Sequence, residues 1–171
     1  LGGDGYGVAV SGRYAYVGNG GSDFSIIDIS NPSAPRLISS VDLPGLAWKV
    51  AVSGRYAYAV TNNAGGNDFD IIDISNPYVP ALLGGADLGS SGFGIAVSGR
   101  YAYVTQNTVA GNDFKIFDVS NPSSPVLLSG VDLGGEGNRI AISGRYAYIA
   151  TNDGGGGGVD LKVFDVANPL L

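Results

Sequence analysis

The hexapeptide SGRYAY occurs four times, starting at Ser11, Ser53, Ser98 and Ser143. A chain that rewrites itself every 42 to 45 residues builds one supersecondary unit repeatedly and buries each copy against its neighbours. Two further markers keep the same rhythm. Asn-Pro recurs at Asn31, Asn76, Asn121 and Asn168, and VDL or ADL ends at Leu43, Leu88 and Leu133. These markers divide the chain into one repeat domain of four units, about 1–43, 44–88, 89–133 and 134–171.

Each unit carries four strand signals. In the first copy, GVAVS (7–11) is short and β-branched, and YAYV (14–17) alternates large and small residues. FSIIDIS (24–30) and RLISSVDL (36–43) follow, separated by the turn NPSAP. Proline suits that turn because its φ is preset. Connections this short join antiparallel neighbours in a meander, and no segment has capped helical periodicity. A period near 40 residues filled with short strands predicts an all-β fold. It is a β-propeller-type repeat of four antiparallel four-stranded blades, the last lacking its outer strand.

The hexapeptide then has a local meaning. Ser-Gly-Arg is the turn between the first and second strands, and glycine supplies its backbone freedom. Tyr-Ala-Tyr places two rings on one face of a strand and a small alanine on the other. Eight of the ten tyrosines lie in these four copies and are expected to fill the gaps between blades. Small Ala9, Ala51, Ala96 and Ala141 suit a crowded innermost strand.

Composition narrows the partners. Apolar residues make up 44% and charged residues 14%, with 29 glycines, which suits a turn-rich globular protein. The net charge of −6 disfavours nucleic acid and anionic membrane surfaces. Without Cys or His there is no usual zinc site and no common base–nucleophile pair. No cofactor is expected. No apolar run approaches the ~18 residues of a membrane span, so no membrane insertion is expected. The chain opens at Leu1 with no Met and no visible signal peptide. It reads as a processed chain or as part of something longer.

The segments VAVSGRYAYV (8–17), IIDISNP (26–32 and 71–77), IFDVSNP (116–122) and VFDVANP (163–169) resemble the LVIVD-repeat family of β-propeller proteins. The resemblance covers nearly the whole chain. It implies a bacterial or archaeal cell-surface or secreted location and an interaction role, with no catalytic residues to carry over. The fourth copy stops at NPLL, without an equivalent of PVLLSGVD (125–132). The strand at 161–166 is therefore expected to have an unpaired edge, open to another chain. Three readings follow: part of a longer array, a four-bladed ring with one three-stranded blade, or copies joined edge to edge. Brief pairing of Leu170 and Leu171 could also close the seam.

Four sets of residues invite a functional reading. Asp28, Asp73, Asp118 and Asp165 recur before Asn-Pro; a turn role is favoured over metal or acid–base chemistry. Loops carrying Asp23, Asp68, Asp113 and Asp160 hold hard oxygens of the kind Ca²⁺ takes. They lack the EF-hand pattern and read better as exposed loops with Asx turns. Gly154 to Gly158 lacks the Lys-Ser/Thr of a phosphate loop and is rejected. The approaches to the first strands differ most: GDGYG, GLAWK, SSGFG and GEGNR. There Tyr6, Trp48, Phe93 and Asn138 match one another, followed by Gly7, Lys49, Gly94 and Arg139. In a propeller these positions gather at one mouth of the axis. Tyr6, Trp48, Lys49, Phe93 and Arg139, with Asp4 and Glu136 near, form a candidate glycan or peptide site. The plainer reading has the rings capping blade packing.

Three functions are weighed. The first is a non-enzymatic extracellular or cell-surface scaffold for adhesion or protein interaction, self-assembling through the bare edge with copies of itself. The second is a glycan- or peptide-binding module at the axial mouth. The third, weakest, is a carboxylate-based hydrolase. No spacing singles out a carboxylate pair for it, and Asp70 and Asp153 read as surface charges.

Overall fold

The computed structural model describes residues 4–21, 23–62, 66–108, 111–152 and 160–170. All secondary structure among them is strand and turn, in four antiparallel meanders. The first sheet runs β1 (Gly5–Ser11), β2 (Tyr14–Asn19), β3 (Asp23–Asp28) and β4 (Arg36–Asp42). The second runs β5 (Leu46–Ser53), β6 (Tyr56–Asn62), β7 (Phe69–Asp73) and β8 (Ala81–Ala86). The third runs β9 (Gly92–Ser98), β10 (Tyr101–Gln106), β11 (Phe114–Asp118) and β12 (Val126–Val131). The fourth has three strands, β13 (Glu136–Ser143), β14 (Tyr146–Asn152) and β15 (Leu161–Asp165). The fold is an all-β propeller repeat, as the period predicts.

The hexapeptide does more than turn the chain. Ser11 pairs with Tyr14 across a two-residue turn, and Gly12, Gly54, Gly99 and Gly144 all hold φ of 58 to 59°. That left-handed conformation costs an L-residue with a Cβ about 1–2 kcal/mol. The arginine that follows swings back across its sheet. Arg13, Arg55, Arg100 and Arg145 pair with Asp28, Asp73, Asp118 and Asp165. Each guanidinium also lies 5.2 to 5.6 Å from the ring of the next tyrosine, within cation–π range. The other carboxylate oxygen of each aspartate accepts an N–H two residues on. The third strand therefore ends at Asp28 rather than at Ser30. The aspartates are turn and pairing residues, as their position before Asn-Pro suggested.

These pairs set an acid limit. The arginine hydrogen bond, helped by a serine, holds Asp28 well below the usual carboxylate range and Asp73 and Asp118 at about 2. A carboxyl depressed on folding stabilises the native state above its unfolded value of 3.8. That contribution is lost as pH falls through the folded value. Thermal midpoints are expected to drop as pH falls from 4 to 2, this contribution being constant above pH 4. A midpoint unchanged across that range would show that the exposed pairs contribute nothing.

The core lies between sheets. One face of each of the first three blades carries a buried tyrosine, phenylalanine and isoleucine: Tyr16, Phe24 and Ile26; Tyr58, Phe69 and Ile71; Tyr103, Phe114 and Ile116. These meet the opposite face of the next blade, where Ala57, Ala102 and Ala147 admit the rings. The Asn-Pro turns seat on the preceding blade's outer strand. Ser39 Oγ donates to Pro77 O at 2.6 Å, and Ser129 Oγ to Pro169 O at 2.8 Å. In the second blade the matching residue is Gly84, where a Cβ would lie 2.6 Å from Ser123 O.

Blade packs on blade in sequence, first to second, second to third and third to fourth. Among the described residues the fourth does not pack on the first, so the four blades form an open arc. The reading of a self-closed four-bladed ring is thereby corrected. Closure needs the first and last faces to meet, and among the described residues they stay exposed, with Val8 at 66% and Leu161 at 55%. Leu170 lies outside any strand, its N–H bonded to Asn168 Oδ1. Leu171 lies outside the described residues.

Candidate functional site

Inner strands of successive blades lie side by side, β1 on β5, β5 on β9 and β9 on β13. Each carries one residue more than its partner strand opposes. The register shifts between Gly5 and Gly7, Ala47 and Lys49, Gly92 and Gly94, and Gly137 and Arg139. The extra residues are Tyr6, Trp48, Phe93 and Asn138. They lie within strands rather than on the approach to them, and a bulge re-aims each side chain. The sequence placed these residues in register with one another; it did not reveal the bulge.

The bulges assemble a row of rings. Tyr6 stacks on Trp48 at 5.2 Å between centroids, and Trp48 meets Phe93 at 5.5 Å, tilted by 46°. In the fourth blade Asn138 stands where a ring would continue the row. Tyr6 is exposed, and Trp48 and Phe93 are half-buried. Trp48 Nε1 is buried without a hydrogen-bond partner, an unmet donor of a kind proteins rarely leave.

The residue after each bulge alternates glycine and cation around the arc. A Cβ on Gly7 would lie 2.8 Å from Lys49 Cα, and one on Gly94 would lie 3.3 Å from Arg139 Cα. Glycine in the first and third blades thus lets the cation-bearing strand of the next blade approach. Lys49 Nζ donates to Tyr6 O at 3.2 Å; Arg139 donates to Phe93 O at 3.2 Å and Asn138 O at 2.8 Å. The cations are bonded to carbonyls at the bulges. Among the described residues neither has a carboxylate within ion-pair distance. Burial, then the charge of Arg139, pulls the Lys49 ammonium below its ordinary value. Glu136 instead accepts from Asn152 Nδ2 at 3.4 Å, and Asp4 contributes its backbone oxygen to Gly20 N. The arrangement offers aromatic faces and two cations to a ligand crossing the inner strands.

The acidic loops differ from the expectation of exposed Asx turns. Asp68 and Asp113 are buried. Asp113 Oδ2 accepts from Leu133 N at 3.1 Å, tying its loop to the segment that leads into the next blade. Asp160 is exposed, and its carbonyl accepts from Thr151 N. No group of three or more acidic residues gathers among the described residues. The side chain of Asp23, together with residues 63–65, 109–110 and 153–159, lies outside them, including the glycine run and Asp153.

Asp70, expected at the surface, is wholly buried; the Thr61 hydroxyl beside it favours the charged form but does not offset burial. Burial first, and then the charge of Asp68, pushes its carboxyl up to about 7. The sequence disguised it because equivalent positions hold donors. Lys115 and Lys162 stand there in the third and fourth blades, their ammonium groups bonded to Leu88 O and Leu133 O. Ser25 stands there in the first blade, its hydroxyl accepting from Asn19 Nδ2 at 3.3 Å. Asp68 and Asp70, whose charges interact, are both sealed from solvent.

Sequence reasoning also missed a shallow groove of about 330 Å³ between the second and third blades, lined by Arg55, Tyr58 and Arg100. The repeated Arg-Tyr step was the only signal for it.

Against known proteins, an LVIVD repeat is matched four times, over residues 2–43, 44–87, 91–132 and 134–169. The comparison with curated proteins gave no match. Among solved structures, the chain is similar to the computationally designed Ika4 protein at 15% identity and TM-score 0.72, covering 96% of this chain and 92% of that one. It is similar to the computationally designed Ika8 protein at 15% identity and TM-score 0.68, covering 98% and 48%. It is also similar to BamB from Moraxella catarrhalis at 20% identity and TM-score 0.67, covering 94% and 46%. The chain spans about half the length of the last two. These likenesses concern the fold.

Proposed function

Because the chain belongs to the LVIVD-repeat family, we propose that it is a non-enzymatic interaction scaffold of the cell surface or extracellular space. It engages a polypeptide partner across the inner strands. The supporting observation is the stacked row Tyr6, Trp48 and Phe93, flanked by Lys49 and Arg139 and holding the unpaired Trp48 Nε1. Aromatic side chains with an arginine are the usual anchors of protein interfaces. Two cations without carboxylate partners favour an acidic or carboxylate-bearing segment over a neutral one. A β-propeller supplies the rigid frame on which such residues hold their places. No helix among the described residues is long and apolar enough to cross a membrane.

Trp48 is the only tryptophan, so its fluorescence reports on this site alone. Titration of acidic peptides selected from an array is expected to shift that emission. Trp48→Ala is expected to weaken binding at least about tenfold, as for an anchor residue. Binding with the emission unmoved and unaffected by Trp48→Ala would sink the assignment. A signal from neutral glycans alone would transfer the site to the sugar-binding alternative.

A second reading rests on the fourth sheet, whose third strand β15 has β14 on one side and, among the described residues, no strand on the other. Such an edge can pair with a strand from another chain, including a copy of this one. Proline placed within β15 would block that pairing and leave the inner-strand row untouched.

A further inference from the structure

The two ends of the arc carry the halves of a fourth junction. Within the chain the same junction forms three times: the Tyr-Phe-Ile face of one blade against the valine and alanine face of the next. In the fourth blade the first of these faces is bare. Leu161 occupies the position of Phe24, Phe69 and Phe114, all 0% exposed, yet is 55% exposed. Val163 replaces Ile26, Ile71 and Ile116, also 0% exposed, and is 53% exposed. Tyr148 is 37% exposed where Tyr16 is 4%. In the first blade the complementary face is bare: Val8 is 66% exposed where Val50, its counterpart in the second blade, is 8%. The ion pair feels the same absence. Asp165 in the fourth blade has 43% of its side chain exposed, against 12 to 18% for the other three aspartates.

Both faces are apolar, and each stands where its counterparts are buried at the three internal junctions. We propose that the occupant of each is a second copy of this four-blade unit. The fourth blade of one copy packs on the first blade of the other, and the reverse contact closes a two-fold ring of eight blades. A head-to-tail interface gives either a ring or an open filament, depending on whether its rotation closes. The open arc favours a ring of about twice this length. Ika8 and BamB superpose on nearly all of this chain and are matched over only 48% and 46% of their own length, whereas Ika4 is a chain of about this length, matched over 92%. This face contact is independent of β-edge pairing. It uses side chains of Val8, Val10, Tyr148, Leu161 and Val163, not the free backbone of β15.

The test is light scattering of the 171-residue chain across a concentration series, with paired variants. A species of twice 17.3 kDa is expected. Val8→Lys with Val10→Lys, and separately Leu161→Lys with Val163→Lys, are each expected to give monomers. All four residues are exposed in one copy, so circular dichroism should show an unchanged fold. Mixing the two variants restores one of the two junctions, because each retains the face the other has lost. A heterodimer is therefore expected from the mixture. A wild-type monomer at every concentration overturns the proposal. So does a dimer that survives both lysine pairs and is dissolved by proline in β15, which would make the edge the contact.

Discussion

Phe69→Ala is expected to destabilise the protein by about 3–5 kcal/mol, the usual cost of emptying a large buried aromatic site. The ring is 0% exposed. It sits 5.2 Å from Phe117 of the third blade and 6.4 Å from Tyr58 of its own. The site lies at the middle junction of the arc, so the cavity opens between two pairs of blades. In a repeat protein each unit leans only on its neighbours. A loss there weakens the coupling between halves as well as the local packing. Urea or thermal unfolding, read against Tyr78→Ala at a residue 63% exposed, measures it. The surface control is expected within about 0.5 kcal/mol of the parent. A Phe69→Ala loss below about 1 kcal/mol would mean that the junctions are not close-packed, and the account of the core would fail.

Asp70→Asn is expected to act in the opposite direction. A carboxyl raised from 3.8 to about 7 by burial costs up to about 4 kcal/mol at neutral pH. The group is protonated in both folded and unfolded states below pH 3.8, so it carries no penalty there. Between about pH 4 and pH 7 the unfolded state ionises and the folded state does not, and stability falls as pH rises. Above about 7 the penalty is constant. The variant removes the ionisation at nearly unchanged volume, and its amide supplies a donor at a position where Lys115 and Lys162 also donate. Thermal midpoints of variant and parent are expected to converge near pH 4 and to separate progressively toward pH 8, the variant higher. The Arg–Asp pairs act oppositely, their contribution being lost below pH 4. Equal midpoints for the two proteins at pH 8 would show that Asp70 is hydrated or paired in solution.

Much of the fold was legible because it is written four times. Period, turn chemistry and alternation agreed in every copy, and local signals that agree specify a structure. The inner-strand site was legible in part. Aligning the repeats brought Tyr6, Trp48 and Phe93 into one class and Lys49 and Arg139 into another. Their stacking was not legible, since it depends on bulges that add one residue to a strand without changing its composition. Asp70 was misread because a single residue type carries no record of burial. Only the folded sheet, which sets Asp70 between Ala59 and Gly85, buries it.

The sequence by itself determined the strands, the turns and the order of the blades. Those follow from short-range causes: glycine at positive φ, proline after asparagine, and alternation of large and small side chains. Tertiary structure alone decided the rest. Which blade stands opposite which depends on packing between repeats, which no single repeat encodes. That arrangement leaves the arc open among the described residues. It also leaves Val8 and Leu161 in water, although their own sequence neighbourhoods match those of Val50 and Phe69, which are buried. The same residues in the same local pattern are core or surface according to whether another blade stands opposite.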